Sequence, residues 1–321
     1  MKAIFLLSKE NLKLAYAEFS AILKKDFQTD KNIVICDCDE DEIKKARKRL
    51  AYANSIFQLL FSCDKKNLEK EMEKYEWQKI YNESFVVRKI NGRKIKPEGG
   101  YAKFIWEKIK NPRVDLKNAK TKIFLICNKK IYVCIFIGET DKSYLERKAS
   151  MKPSLHPTAI NPKLAKAMVN LTGAEKNETI ADPFCGSGGI LIESGLMGLK
   201  VIGNDVSKKM LSFAQKNLEH YKIKYWHLLN EDATKCKIKC DYVVSDLPYG
   251  RNSKITQQLE ELYYDFLTNI KNWKIKRAVI GFPHFVDYKK IIKKAGFSIE
   301  DEFEYYIHKS LTKKIVVLKN D

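Results

Sequence analysis

The chain has 321 residues, 45% of them apolar, and carries a net charge of +20. That length exceeds what one domain usually needs and predicts two or three, with enough apolar material for real cores. The longest uninterrupted apolar run is Ile131 to Ile137, too short to cross a membrane, and the few apolar residues after Lys2 are too few for a signal-peptide core, so a soluble, cytoplasmic protein is expected.

The charge is unevenly spread. Residues 1–158 carry 34 Lys and Arg against 21 Asp and Glu, residues 159–321 carry 26 against 19, and the segment 85–148 alone carries 17 against 6. A compact module with such an excess attracts a polyanion by counterion release, whereas the plainer reading is a solvated Lys-rich surface. Eight cysteines are present, none in a CxxC pair, and neither Cys36-x-Cys38 nor Cys236-x3-Cys240 has a second pair at zinc spacing. Free thiols in a reducing cytosol and no metal site are expected.

In chain order, AIFLL reads as a strand, Leu12 to Leu23 as a helix, NIVIC as a strand, Glu42 to Arg49 as a charged helix and Ser55 to Phe61 as a strand. Lys65 to Trp77 reads as one helix. SFVVRKI is a strand, NGRKIKPEGG a basic turn-rich loop, and YAKFIWEKIK an amphipathic helix. On that helix Tyr101, Phe104, Ile105 and Ile109 form the stripe and Trp106 is expected in the core. The strands TKIFLIC and IYVCIFIG follow. The order strand–helix–strand–strand with a basic loop is a compact α/β RNA-binding pattern. Residues 140–158 are polar, basic and proline-containing and read as a connection, in which Arg147, Lys148 and Lys152 are available to phosphate.

From residue 159 strands and helices alternate. Lys163 to Leu171 is a helix, ETIAD a strand, GGILIESGLMG a helix, KVIGND a strand, and Ser207 caps a helix running to about His220. Strands follow at YWHLL and CDYVVSD, a helix from Gln257 to Ile270, a strand at KRAVIGF, a helix from Tyr288 to Ala295, and a closing antiparallel pair FEYYIHKS–LTKKIVVLK. This predicts a mostly parallel, doubly wound sheet with an antiparallel edge.

Three motifs stand at the carboxyl ends of these strands, where such sheets bind ligands. Asp182-Pro-Phe-Cys-Gly186-Ser-Gly188-Gly189 opens a helix with glycines that let backbone approach a ligand, without the full GxGxxG spacing. Asp205, 23 residues after Asp182, is placed to accept from both hydroxyls of a ribose, Ser207 being better placed than it to cap the following helix, and Asp232-Ala233 either reaches an adenine amino group or is a loop aspartate in solvent. Ser245-Asp246-Leu247-Pro248-Tyr249-Gly250 sets an acid, a proline and an aromatic at one strand end. An exocyclic amine has its lone pair delocalised into the ring. Hydrogen bonds to Asp246 and a backbone carbonyl favour a pyramidal nitrogen, Tyr249 stacks on the base face, and Asp246 helps remove the proton. A base flipped from its stack suits such a pocket. A plain Pro-Tyr-Gly turn is the alternative for that segment taken alone. Cys185 reads as packing rather than a nucleophile, His156 as structural or cofactor-covering, and Tyr305 and Tyr306 as base-pocket or strand-packing residues.

The series DPFCGSGG, GND, EDA and SDLPYG resembles the amino-methyltransferases with an (Asp/Asn)-Pro-Pro-Tyr loop, and LHPTAINPKLAKAMVNL resembles the approach to the first motif in tRNA guanine-N2 members. The basic module resembles a THUMP domain behind a ferredoxin-like unit. The family indicated is the THUMP-containing tRNA (guanine-N2)-methyltransferases acting on guanosine 10. The resemblance implies a Rossmann-like class I methyltransferase domain at 159–321 preceded by ferredoxin-like (1–60) and THUMP (61–148) α/β domains and a linker at 149–158. It implies S-adenosylmethionine as cofactor, held by Asp182, Gly186, Gly188, Asp205, Asp232 and Ala233, with Asp246, Pro248 and Tyr249 catalytic. It also implies tRNA as partner, its 3′ end gripped by the basic module, for which Arg88, Arg93, Lys94, Lys96 and Arg113 are candidates; a monomer is expected. Leu247 stands where the family has its first proline, which leaves the backbone carbonyl available but removes the ring that stiffens the loop. Another base amine, adenine N6 or a guanosine elsewhere in tRNA, and a non-catalytic RNA-binding protein are the alternatives.

Overall fold

A computed structural model describes residues 1–92, 95–154, 159–249, 253–309 and 311–320. The chain divides into two compact units, one comprising Met1–Leu12, Leu23–Lys48 and Ala53–Thr140, the other Lys13–Ile22, Arg49–Tyr52 and Asp141–Asp321.

Up to residue 140 the elements are β1 (Lys2–Leu7), α1 (Leu12–Leu23), β2 (Gln28–Asp30), β3 (Ile33–Asp37), α2 (Glu40–Arg49), β4 (Ala53–Cys63), α3 (Leu68–Lys74), β5 (Phe85–Ile90), α4 (Gly99–Trp106), β6 (Thr121–Cys127) and β7 (Ile131–Glu139). The strands form one sheet in the order β2-β3-β1-β4-β7-β6-β5, antiparallel except where β5 and β6 run side by side. The seam is β4 against β7, with Cys63 opposite Ile131 and Ser55 opposite Glu139. The strands on either side of residue 60 therefore share one hydrogen-bonded layer.

Two sequence expectations are corrected here. The helix expected over Lys65 to Trp77 is broken into a 3-10 turn at Lys65–Asn67, then α3, then a second 3-10 turn at Trp77–Lys79. Tyr75 takes an extended conformation, which turns the Trp77 ring wholly into the core, where its indole N–H donates to the Met72 carbonyl at 2.7 Å. A buried indole needs that acceptor, and a continued helix would not bring it there. Trp106, expected in the core, is half exposed, while Tyr101, Phe104 and Ile105 are buried. At about 100° per residue, Trp106 rotates off the stripe they define. The three-residue edge strand β2, of sequence QTD, carries no apolar signal and was not anticipated.

The second unit contains α5 (Pro162–Leu171), β8 (Thr179–Asp182), α6 (Gly189–Leu196), β9 (Lys200–Asn204), α7 (Lys208–His220), β10 (Trp226–Leu229), β11 (Tyr242–Asp246), α8 (Ser253–Lys271), β12 (Arg277–Pro283), α9 (Tyr288–Lys294), β13 (Phe297–His308) and β14 (Leu311–Asn320). Its sheet runs β10-β9-β8-β11-β12-β14-β13, parallel through β12 and antiparallel at β14 and β13. The order reverses between β8 and β11, which pair directly. That switch point leaves a crevice at the carboxyl ends of the strands. Helix starts follow from the sequence: Asn161 caps α5 through Lys163 N–H (2.9 Å) with Pro162 at the first position, and Ser207 caps α7 through Met210 N–H (3.4 Å). Helix α8 begins four residues before its expected start.

The connection is not the free basic segment its composition suggests. Arg147 is buried and makes a bidentate pair with Glu193 of α6 (2.7 and 2.9 Å), and Lys152 is buried as well. Neither is exposed to an RNA phosphate. Residues 155–158, including His156, lie outside the described residues.

Candidate active site

The glycine motif leaves β8 at Asp182 and enters α6 at Gly189. Gly186 and Gly188 both have positive φ (50° and 83°), the region in which a Cβ is strained. At Gly188 a Cβ would also press on Ala214 of α7 at 3.3 Å, whereas at Gly186 it would meet open space. Gly188 therefore shapes the turn, and Gly186 borders a cavity of about 440 Å³.

The same cavity is lined by Asp182, Asp205, Asp232, Ala233, Asp246, Pro248 and Tyr249. Every candidate cofactor and catalytic residue except Gly188 thus faces one space. The carboxylates sit in different surroundings. Asp205 accepts from the backbone N–H groups of Gly186 (3.0 Å, Oδ2) and Ser207 (2.8 Å, Oδ1), which aims it across the glycine turn. Asp232 accepts from the N–H and hydroxyl of Thr234 (2.9 and 2.8 Å), and these bonds hold its carboxyl below the usual range. Asp182 is buried, accepting from the Ser245 hydroxyl (2.7 Å) and Phe184 N–H (3.2 Å). Burial outweighs those bonds and pushes it up to about 7, with the charges of Asp246 and Asp205 adding to the rise. Four aspartates around one cavity suit a ligand that carries positive charge and offers hydroxyl and amino donors.

Asp246 ends β11, paired in parallel with Gly281 of β12. Burial raises its pKa, opposed by the ammonium of Lys313 on β14, which is bonded to Oδ2. Oδ1 is buried and has no hydrogen-bond partner among the described residues. The next residue, Leu247, is buried, and its N–H donates to the Gly281 carbonyl at 3.1 Å. The strand ladder thus stiffens the loop where a proline ring is lacking. The Tyr263 hydroxyl, from α8, donates to the Pro248 carbonyl. Tyr249 leaves over a third of its surface open, with the Lys313 ammonium 5.0 Å from its ring centre.

Lys313 is the residue the sequence reading missed. The alternation Leu311, Lys313, Ile315, Val317 places it on one face of β14 with three buried apolar residues, and a lysine in that register was the available signal. Tyr305 and Tyr306 of β13 do not line the cavity, and Tyr306 is exposed. Cys185 is buried in an apolar cluster with Leu191, Ile192 and Val201, and burial raises its thiol well above the ordinary value, as a packing role requires.

In the basic module, the Arg88 guanidinium donates to the Leu116 carbonyl (2.6 Å), Lys96 pairs with Glu69 (2.5 Å), and Arg113 is exposed. Arg93 and Lys94 lie outside the described residues. Among the described residues no three His, Cys, Asp or Glu side chains are grouped to hold a metal ion, and no helix is long and apolar enough to cross a membrane.

A family described as RMKL-like, methyltransferase domain, matches residues 150–315, and one described as DNA methylase matches 8–216, a span ending before the Asp246 loop. The tRNA (guanine(10)-N2)-dimethyltransferase of Methanothermobacter thermautotrophicus is 30% identical over 99% of both chains, and that of Pyrococcus abyssi 35% identical over 76% of each. The crystal structure of TrmN from Thermus thermophilus superposes over the whole of both chains with a TM-score of 0.56 at 19% identity, a likeness of fold. The second unit is accordingly a Rossmann-like class I methyltransferase fold, and the chain belongs to the tRNA (guanine(10)-N2)-dimethyltransferase family within the RMKL-like methyltransferases.

Proposed function

We propose that this chain transfers methyl groups from S-adenosylmethionine to the exocyclic N2 of guanosine 10 in tRNA. The observation that carries the reading is that the glycine turn and the Asp246–Tyr249 corner border one cavity. When bound, S-adenosylmethionine supplies a methyl on a positively charged sulfur, which an amine lone pair takes by in-line displacement. Asp205 is assigned to the ribose hydroxyls, Asp232 and Ala233 to the adenine edge, and Asp182 and the Gly186 turn to the methionine end. Oδ1 of Asp246 accepts one N–H of the guanine amine. Because Tyr263 occupies the Pro248 carbonyl, the Leu247 carbonyl is assigned to the other N–H. The two bonds draw the nitrogen lone pair out of the ring. Tyr249 stacks on the base, and Asp246, raised by burial, takes up the proton the amine gives off.

For the remainder of the chain we read residues 1–60 as a ferredoxin-like unit, 61–148 as a THUMP domain that holds the tRNA, and 149–158 as the linker. Arg88 and Arg113 are the described candidates for the grip, since Lys96 is engaged by Glu69. The protein is read as a monomer. Nucleoside mass spectrometry with site mapping, on transcript tRNA incubated with the protein and S-adenosylmethionine, tests the assignment. N2-methyl- and N2,N2-dimethylguanosine at position 10 are expected, and a methyl on another base or position overturns it.

A further inference from the structure

We propose that Lys313 is a positioning residue of the reaction: it pins Oδ2 of Asp246 and thereby presents Oδ1, as an ionised acceptor, to the incoming amine. The inference rests on the reading of Asp246 as the amine's acceptor.

Lys313 is 3% exposed and reaches Asp246 from β14, 67 residues away in sequence. Burying an ammonium costs several kcal/mol unless a partner of opposite charge meets it with good geometry, and the partner here is the carboxylate of the candidate catalytic corner. The pair divides the two carboxylate oxygens. Oδ2 is taken by Lys313, and Oδ1 is buried and has no partner among the described residues. The space around Oδ1 is made by Gly281, where a Cβ would stand 2.9 Å from that oxygen. One oxygen is thus held, and the other is left without a partner among the described residues, on a side chain that lines the cavity. The same ammonium stands beside the Tyr249 ring, so one side chain braces both the acceptor and the stacking platform.

Among the described residues, the other titratable groups that act on Asp246 or feel its charge are Asp182 from β8, Tyr263 from α8 and Tyr249 from its own loop. Its β12 neighbour is Gly281, which has no charge to offer. None of these favours the ionised carboxylate. Lys313 alone among them opposes burial, and a carboxyl that keeps its proton donates rather than accepts.

The test compares wild type with Lys313→Met and Lys313→Arg. An opposite charge at this range shifts a carboxyl by about 1–3 pH units, so in Lys313→Met the acid limb of kcat should move upward by that amount while S-adenosylhomocysteine affinity, read by calorimetry, stays within a few-fold. Lys313→Arg should restore the wild-type limb. A uniform fall in kcat at every pH, with no shift of the limb, overturns the proposal and leaves a structural ion pair. If Lys313→Met does not fold, carboxyl carbon NMR of the wild-type protein decides, the Asp246 signal being assigned by its loss in Asp246→Asn. Titration of Asp246 below that of Asp182 supports the proposal, and titration above it overturns it. Absence of methylated guanosine with wild-type protein would instead remove the functional reading, which the NMR titration does not depend on.

Discussion

Asp182 gives the most quantitative prediction. Its folded pKa is about 7 against an ordinary 3.8, so the folded chain holds a proton that the unfolded chain has released throughout that window. The folded state therefore binds more protons between pH 4 and 7, and stability falls as pH rises through that range. The contribution is fully kept below the unfolded pKa and lost once pH passes 7. Three pH units correspond to roughly 4 kcal/mol of differential stabilisation for this buried group. A cationic ligand in the same cavity reverses the preference by favouring the carboxylate, so binding S-adenosylmethionine should expel the proton. Calorimetric titrations at pH 6 in two buffers of different ionisation enthalpy should show release of up to one proton, and titrations at pH 8.5 almost none. Asp182→Asn should abolish the buffer dependence and flatten the fall in thermal stability between pH 5 and 8. Binding heats identical in the two buffers at pH 6, or a buffer dependence that survives in Asp182→Asn, would refute the reasoning.

Three further outcomes are expected. Leu247→Pro removes both the N–H bonded to Gly281 and a buried side chain, and should destabilise the second unit by about 2 kcal/mol or more; an unchanged melting temperature would show that the bond does not brace the loop. Arg147→Met leaves Glu193 buried without its bidentate partner and should cost about 3–5 kcal/mol in denaturant unfolding, most of it recovered by adding Glu193→Leu; a single variant as stable as wild type would contradict the buried pair. Arg88→Ala with Arg113→Ala should lower the slope of log affinity for tRNA against log salt by about two while S-adenosylhomocysteine binding is kept; an unaltered slope would place the grip elsewhere.

Much of the second unit was legible because its signals are local. Each motif lies within a few residues of a strand end, and the alternation of apolar strands with capped helices fixes where those ends gather. Lys313 was not legible in that way. Its partner is set by the antiparallel register that puts Gly281 beside Ile315 and by the parallel register that puts Asp246 beside Gly281, and neither is written in the residues flanking a lysine. Arg147 and Lys152 were misread for the same reason. Arg147 between Glu146 and Lys148, and Lys152 before a proline and a serine, look like solvated linker, and the carboxylate that buries Arg147 comes 46 residues later. Trp77 shows the converse, a local helical pattern overridden because a large ring needs both the core and an acceptor.

The four aspartates around the cavity are chemically alike in sequence and unlike in place, and the difference sorts their roles. Asp205 and Asp232 hold backbone donors and stay nearer the surface, and the Thr234 donors keep the Asp232 carboxyl below its usual range. Asp182 and Asp246 are desolvated, and among the described residues a fixed cation stands against Asp246 and none against Asp182. Once a cationic cofactor has displaced the Asp182 proton, the uncompensated negative charge lies toward the glycine turn, where it favours a sulfonium over the neutral thioether that remains after transfer. At the opposite corner the charge of Asp246 is largely balanced by Lys313, so a neutral guanine amine can approach Oδ1 without a full buried anion having been left waiting for it. Removing Lys313 would blur that division by making both corners compete for the same proton.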